Sequence, residues 1–331
     1  MNIELSEEAL AYGRLARQAI EAAGGDALVQ DAEREPERRE RIFAPVLGEL
    51  GAWELDPRAD PDDLEAAAAL CRAAGYWCVA YPVAERLARP ADQSADGLLV
   101  VAEPGSAVPA APVAGLDLRW TAVTPSGRRS RVTSVRPGGP PRTAAFVAAL
   151  ELEPLEPSHP STTSPDSTTS PDSTTSPDGD VALVLTLACW TLLGMLDRAN
   201  DLARSHVLLR EQFGQPLSGF QGVQFQLTDA EVERSGTEVL AKYALWSVQA
   251  GLPEAADDAL ALRLAALEVA EVVFRVAHQL HGAIGFCDEL PLSWLSRYSQ
   301  PLRRLPLGLS ATRAALAARI GTRGLTGVFS E

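Results

Sequence analysis

The chain has 331 residues, 46% of them hydrophobic, enough to bury a substantial core and to build two or three domains. Its 29 basic and 44 acidic residues leave a net charge of −15, which repels phosphate backbones over most of the surface and excludes nucleic acid as a partner. The four cysteines, Cys71, Cys78, Cys189 and Cys287, make no CxxC pair and sit among apolar or helical neighbours, as reduced buried thiols do, so a cytoplasmic protein is expected.

In chain order, the opening MNIELSEEALAYGR has acids where a secretory signal has bases and no apolar h-region, so export is not expected. Residues 7–23, 37–51 and 61–74 have helical spacing; Leu10, Leu15 and Ile20 mark the first, Ser6 is placed to cap it, and Glu7 and Glu8 lie in its first turn. Residues 1–90 are therefore expected as an N-terminal helical domain. From Gly97 the pattern changes to GLLVVAE, LDLRWTAV, SRVTSV and TAAFVAALEL, separated by clusters such as RPGGPP, which predicts a compact antiparallel β unit over 91–158. Residues 161–178 read STTSPDSTTSPDSTTSPD, three copies of a hexapeptide with nothing to anchor a core, and predict an extended linker over 159–180.

Downstream, residues 181–212, 223–250 and 254–281 read as long helices, the third with an apolar face from Leu260, Leu264, Leu267, Phe274 and Val276. Short GFQG and GLP connections predict an antiparallel bundle over 181–331. The run VALVLTLACWTLLGML is shorter than the roughly 20 apolar residues of a membrane span and carries Thr186 and Thr191, so a buried bundle helix is expected and no membrane contact.

Two stretches carry chemistry. In ARSHVLLREQFGQPLSGFQGVQFQLTD, Arg210 falls in the last turn of a helix and is followed by Phe213 and Gly214, where a guanidinium can offer a planar fork to a diphosphate. On spacing alone, an arginine serving the helix dipole is the simpler account. The other stretch is HQLHGAIGFCDELP, where a long apolar helix ends in two histidines, a glutamine and glycines.

The run R-x-x-F-G-x-P-L-x-x-F-Q-x-V-Q-F-x-L-x-D, with Q-L-H-G-x-I-G-F about 60 residues on and Arg297 beyond, resembles the C-terminal domain of the acyl-CoA dehydrogenase family. The order helical, β, helical matches over the whole chain, and the motifs are specific over roughly 204–297. The resemblance implies an α+β, mostly α fold: an N-terminal helical domain, a reduced middle β domain and a C-terminal four-helix bundle. It implies that Arg210 meets the FAD diphosphate across a subunit interface, with Phe213, Leu217, Phe220 and Gln221 as neighbours, and that Gln279, Gly282 and Ala283 receive the adenosine diphosphate half. Ala283 departs from the family, where a second glycine is usual. His281 is expected as a filler rather than a catalyst.

What the chain lacks is equally informative. The family keeps a glutamate over the flavin ring to remove the α-proton. Ungapped alignment from Gly282 places the usual base at Pro306, and the alternative location falls near Val184; neither takes a proton. Asp178 and Asp180 at the helix start are expected as caps. In the middle domain only AEPGS, residues 102–106, and Trp120-Thr121 echo the family's ring pocket. The resemblance thus implies the non-catalytic partner subunit of a heteromeric α2β2 acyl-CoA dehydrogenase of the kind known from actinobacterial steroid side-chain breakdown. A homologous catalytic subunit would supply the base and flavin pocket, the substrate would be a steroid or other bulky acyl-CoA thioester, and an electron-transfer flavoprotein would be the acceptor. No catalytic or metal-ligating residue is assigned to this chain. The competing readings are a flavin monooxygenase of the same fold and a cofactor-free structural partner.

Overall fold

The computed structural model describes residues 2–155 and 176–324. The expected linker lies outside the described residues apart from 176–180, which cap and open a helix.

The N-terminal part holds α1 (Glu7–Ala23), α2 (Asp26–Arg34), α3 (Arg39–Glu49), α4 (Pro61–Tyr76) and α5 (Val83–Leu87). Ser6 caps α1 by accepting the Ala9 N–H, and Asp60 caps α4 by accepting the Asp62 N–H. Helix α2 was not anticipated. It begins at Gly25, at φ 52 and with no side-chain cap, so the glycine pair ahead of it reads as a loop.

The sheet follows: β1 (Gly97–Val100), β2 (Ala110–Ala111), β3 (Trp120–Val123), β4 (Arg129–Pro137), a short α6 (Pro141–Ala144) and β5 (Ala148–Pro154). Its order is β1-β3-β4-β5-β2. The expectation of an all-antiparallel unit is corrected, because β1 pairs parallel to β3, with Gly97 opposite Trp120 and Val100 opposite Val123. Both strands are buried along their whole length. A continuous apolar run of this kind, without alternation, belongs to a strand covered on both faces, and the long connection through 101–119 returns the chain in the same direction.

The C-terminal part is built on α7 (Pro177–Leu209), followed by the two-residue strands β6 (Glu211–Gln212) and β7 (Gln215–Pro216), then α8 (Gln221–Gln249), α9 (Ala255–His281), α10 (Pro291–Tyr298), α11 (Gln300–Arg304) and α12 (Leu309–Arg323). Helix α7 is long and apolar enough to cross a membrane, but 89% of its most apolar window is buried inside the protein. It packs on α8 and α9, α9 packs on α12, and α4 crosses α7 from the N-terminal side. The α+β, mostly helical class with a C-terminal bundle is what the sequence implies.

The α4–α7 crossing depends on two glycines facing each other. A Cβ on Gly75 would lie 1.9 Å from the Thr191 carbonyl oxygen, and one on Gly194 would lie 1.9 Å from the Arg72 carbonyl oxygen. Beside this crossing, Arg72 binds Asp197 at 2.7 Å and Glu238 at 3.0 Å, while Arg234 binds Asp197 at 3.1 Å and Glu238 at 2.7 Å. The ring ties α4, α7 and α8 together. Burial opposes ionisation of Glu238, but hydrogen bonds and charge from Arg72 and Arg234 outweigh it and hold the carboxyl at about 2.

Cys71, Cys78 and Cys189 are buried free thiols; Cys287 is exposed, which corrects the expectation of four buried cysteines. It follows the exposed turn after α9, where apolar neighbours in sequence do not mean burial.

Candidate functional site

Helix α7 ends at Leu209, and Arg210 stands one residue beyond it in extended conformation, its N–H donating to the His206 carbonyl at 2.9 Å. Arg210 is therefore just outside the last turn where the sequence places it. Phe213 and Gly214 connect β6 to β7 with φ of 51 and 83, the left-handed pair of a tight hairpin. Glycine adopts this freely, whereas a phenylalanine there is uncommon. The hairpin returns Leu217, whose N–H donates to the Arg210 carbonyl at 2.8 Å. One 3-10 turn, Leu217–Gly219, leads to Phe220, which stands at the N-terminus of α8 with its ring edge-on to Phe213 at 6.3 Å. Arg210, Phe213, Leu217, Phe220 and Gln221 thus surround one reversal. The Arg210 guanidinium is exposed and has no ion pair or hydrogen-bond partner among the described residues, so it does not serve the last carbonyls of α7.

Helix α9 ends at His281, and Gly282 follows at φ 67, ψ −149, a conformation reserved for glycine, with open space where a Cβ would sit. Gln279, Gly282 and Ala283 are exposed. The rings of His206 and His281 stack at 4.4 Å between centroids, and His281 Nδ1 donates to the Ala277 carbonyl at 2.8 Å. His206 lies one turn before Arg210 and His281 directly precedes Gly282, so this stack brings both motifs to the same end of the bundle. Burial holds both imidazoles below the ordinary histidine range, with His281 and Arg210 adding to the effect on His206. Two neutral rings stack at neutral pH without repulsion. His281 therefore fills and joins, as expected for a packing residue.

Around this end stands a rim that the sequence did not single out: Leu208, Leu209, Phe225, Ile284 and Phe286 are exposed, with Leu209 at 83% and Phe213 at 92%. Large apolar side chains gathered in the open mark a contact surface. The signal was present in the residues flanking each motif, but only folding groups them. A free guanidinium, a backbone opened by Gly282 and exposed aromatic rings fit a diphosphate joined to an adenosine.

The flavin-ring echoes fare differently. Trp120 is buried against β1, so closely that a Cβ on Gly97 would lie 2.4 Å from its ring, and Thr121 is buried with it. Glu103 of AEPGS accepts from the Ser126 N–H at 2.7 Å and pairs with Arg128 at 2.7 Å. Both echoes serve the β unit's own packing. Val184 and Pro306, the two positions matched to the family's base, line one small hollow of about 30 Å³, with Leu99, Leu302, Glu85 and Arg263.

The expectation that Asp178 and Asp180 cap α7 is corrected. Ser176 is the cap, accepting the Gly179 N–H at 3.0 Å. Asp180 is buried between Arg58, at 2.8 Å, and Arg129, while Asp178 pairs with Arg319 at 3.2 Å. The serine sits at the position where the backbone turns, leaving the aspartates as the second and fourth residues of the helix, where each meets an arginine from another part of the chain.

Residues 186–319 match the family described as "Acyl-CoA dehydrogenase, C-terminal domain". Acryloyl-CoA reductase (NADH) of Anaerotignum propionicum is 31% identical over 105 residues, 32% of this chain and 26% of the reductase, so the matched segment spans about a quarter of that curated relative. Two solved structures align over nearly the whole chain. The Tcur3481–Tcur3483 steroid ACAD, solved as a variant, superimposes with a TM-score of 0.74 at 20% identity, covering 96% of this chain and 98% of that one. The ChsE4–ChsE5 complex from Mycobacterium tuberculosis gives a TM-score of 0.74 at 16% identity, covering 98% and 100%. Residues 186–319 are thus similar to the acyl-CoA dehydrogenase C-terminal domain, and the chain as a whole shares the fold of these two solved structures.

Proposed function

We propose that the chain is the partner subunit of an FAD-dependent acyl-CoA dehydrogenase and supplies the FAD diphosphate and adenosine contacts across an interface with a homologous catalytic subunit. The observation that carries this reading is the unpartnered Arg210 guanidinium standing with Gln279, Gly282 and Ala283 at one exposed, apolar-rimmed end of the bundle. Such a surface is complete only when another chain covers it.

FAD, when bound, would accept the hydride in α,β-dehydrogenation of the acyl thioester, and the base would come from the partner. This chain's own residues bind and orient. Arg210 offers two parallel N–H donors to phosphate oxygens, Gly282 lets backbone approach closely, and the Phe213, Leu209 and Phe286 side chains exclude water from the contact. The relatives named as a steroid ACAD and as a two-protein complex support a bulky steroid-CoA substrate and an α2β2 assembly. Cytoplasmic location and an electron-transfer flavoprotein acceptor belong to the same proposal. The free guanidinium and the open glycine disfavour a cofactor-free partner, for which neither has a use.

Arg210→Ala in the assembled complex tests this. Loss of a charge-assisted pair of about 1.5–3 kcal/mol is expected to weaken FAD by roughly ten- to a hundredfold in an absorbance or fluorescence titration, with the thermal melt unchanged. FAD affinity equal to wild type would contradict the assignment.

A further inference from the structure

Three of the chain's four histidines, His206, His278 and His281, gather at the end of the bundle that carries Arg210 and Gly282. The His206 ring on α7 and the His281 ring on α9 lie 4.4 Å apart between centroids at 27°, and this stack joins the ends of the two helices. Near the same end of α9, the His278 ring lies parallel to Phe286, 4.3 Å away at 12°, which pins the far side of the 3-10 turn Gly282–Phe286. His278 Nδ1 is buried without a hydrogen-bond partner among the described residues, and a Cβ on Gly285 would lie 3.3 Å from it. The turn that holds Gly282 and Ala283 is thus gripped by a histidine contact on each side, and the Arg210 reversal is tied to it through His206. The charged groups that act on the rings are cationic, namely His281 on His206 and His278, and Arg210 on His206. Of the surrounding elements, α7 brings Arg204 and Asp201, β6 brings Glu211, α9 brings Arg275, α10 brings Arg297, and the segment before α10 brings Cys287, Asp288 and Glu289. Asp201 is held by Arg17 and Tyr76, and Asp288 by Arg142 and Arg297; α8 has no charged residue in its first two turns.

Neutral imidazoles stack and fill space, whereas two imidazolium rings at this separation repel each other and the nearby Arg210, with no carboxylate against them to offset the charge. A proton on His278 is costly in another way, because Nδ1 becomes a buried charged donor with nothing to receive it. We propose that the histidine cluster is a positioning latch for the Arg210 and Gly282 site, holding the two motifs together while its rings are neutral and letting them part when the rings take up protons. The three histidines are positioning residues, acting through Arg210 and Gly282 rather than on a ligand. Opening of the bundle end rests on the ring contacts alone, and its effect on FAD rests on the interface reading above. Burial holds all three rings below the ordinary histidine value of 6.5, so the open form binds protons more readily than the closed one. Closure is therefore at full strength above that value and weakens as pH falls below it, by up to about tenfold per pH unit for each ring.

The test is hydrogen–deuterium exchange of the full-length protein, with its partner where co-purified, at pH 7.5 and pH 5.5 and corrected for intrinsic amide rates. Protection over residues 203–210 and 278–287 is expected to fall by about a hundredfold at pH 5.5, while residues 183–196 in the buried middle of α7 stay within about threefold. His206→Phe keeps a ring against His281 and cannot ionise, so its fall is expected to be only about tenfold; His206→Gln gives the same comparison should the first variant not fold. Protection independent of pH in the wild type, or the full wild-type fall retained in the variant, would make the stack mere packing and overturn the proposal. FAD titration of the same samples is expected to weaken alongside protection, and less so in His206→Phe. Arg210→Ala at pH 7.5 separates the two readings, because it leaves the rings in place: normal FAD affinity there with the expected exchange profile would mean that the interface reading has failed and the latch has not. With dependence of FAD on Arg210 established, protection that falls while FAD affinity stays flat would overturn the positioning role.

Discussion

Replacing Gly194 with alanine is expected to cost about 4 kcal/mol or more and to lower the melting temperature by on the order of 10 °C. The added Cβ would lie 1.9 Å from the Arg72 carbonyl oxygen, and the contact cannot be relieved by a side-chain rotation because the obstruction is backbone. The helices must separate instead. Separation strains the neighbouring ring of Arg72, Asp197, Arg234 and Glu238, so the loss extends beyond the glycine itself. Gly75→Ala meets the Thr191 carbonyl oxygen at the same distance and should behave alike. Gly236→Ala on the exposed side of α8 meets nothing within 4 Å and is expected to stabilise by up to about 1 kcal/mol through helix propensity alone. Circular dichroism melts of the three variants check this; a Gly194→Ala melt coincident with wild type would show that the crossing is loose.

Asp180→Asn is expected to lower stability by about 3–5 kcal/mol, because it leaves buried Arg58 beside a neutral amide. The two side chains are 4% and 6% exposed, so water cannot take over the lost charge. Asp178→Asn breaks a partly exposed pair with Arg319 and is expected to cost under about 1 kcal/mol. Denaturant unfolding separates the two outcomes. If Asp180 were catalytic, the variant would keep its stability and lose turnover in the assembled complex, the reverse of what the buried geometry predicts.

How much of this was legible in the sequence depends on how local each feature is. The long helices and the Phe213-Gly214 reversal follow from spacing and turn chemistry within a few residues, and the helices lie close to where periodicity places them. The parallel pairing of β1 with β3 was not legible as a pairing, since it depends on the path of a long connection; the unbroken apolar run GLLV was its only trace. Asp180 was misread for a related reason. Next to a helix start an aspartate looks like a cap, and its real partners, Arg58 and Arg129, come from the α3–α4 connection and from β4. The Arg210 and Gln279–Ala283 stretches were found through the family resemblance, while the contact that brings them together, His206 on His281, joins two helices whose sequences give no sign of it.

The central claim is that this chain provides one half of an FAD site and a homologous subunit the other. Purifying the chain alone and co-expressed with such a subunit, then measuring the FAD-to-protein ratio by absorbance, tests it most directly. The account predicts a colourless chain alone and one FAD per pair of unlike chains in the complex. A yellow homo-oligomer carrying one FAD per chain would contradict it.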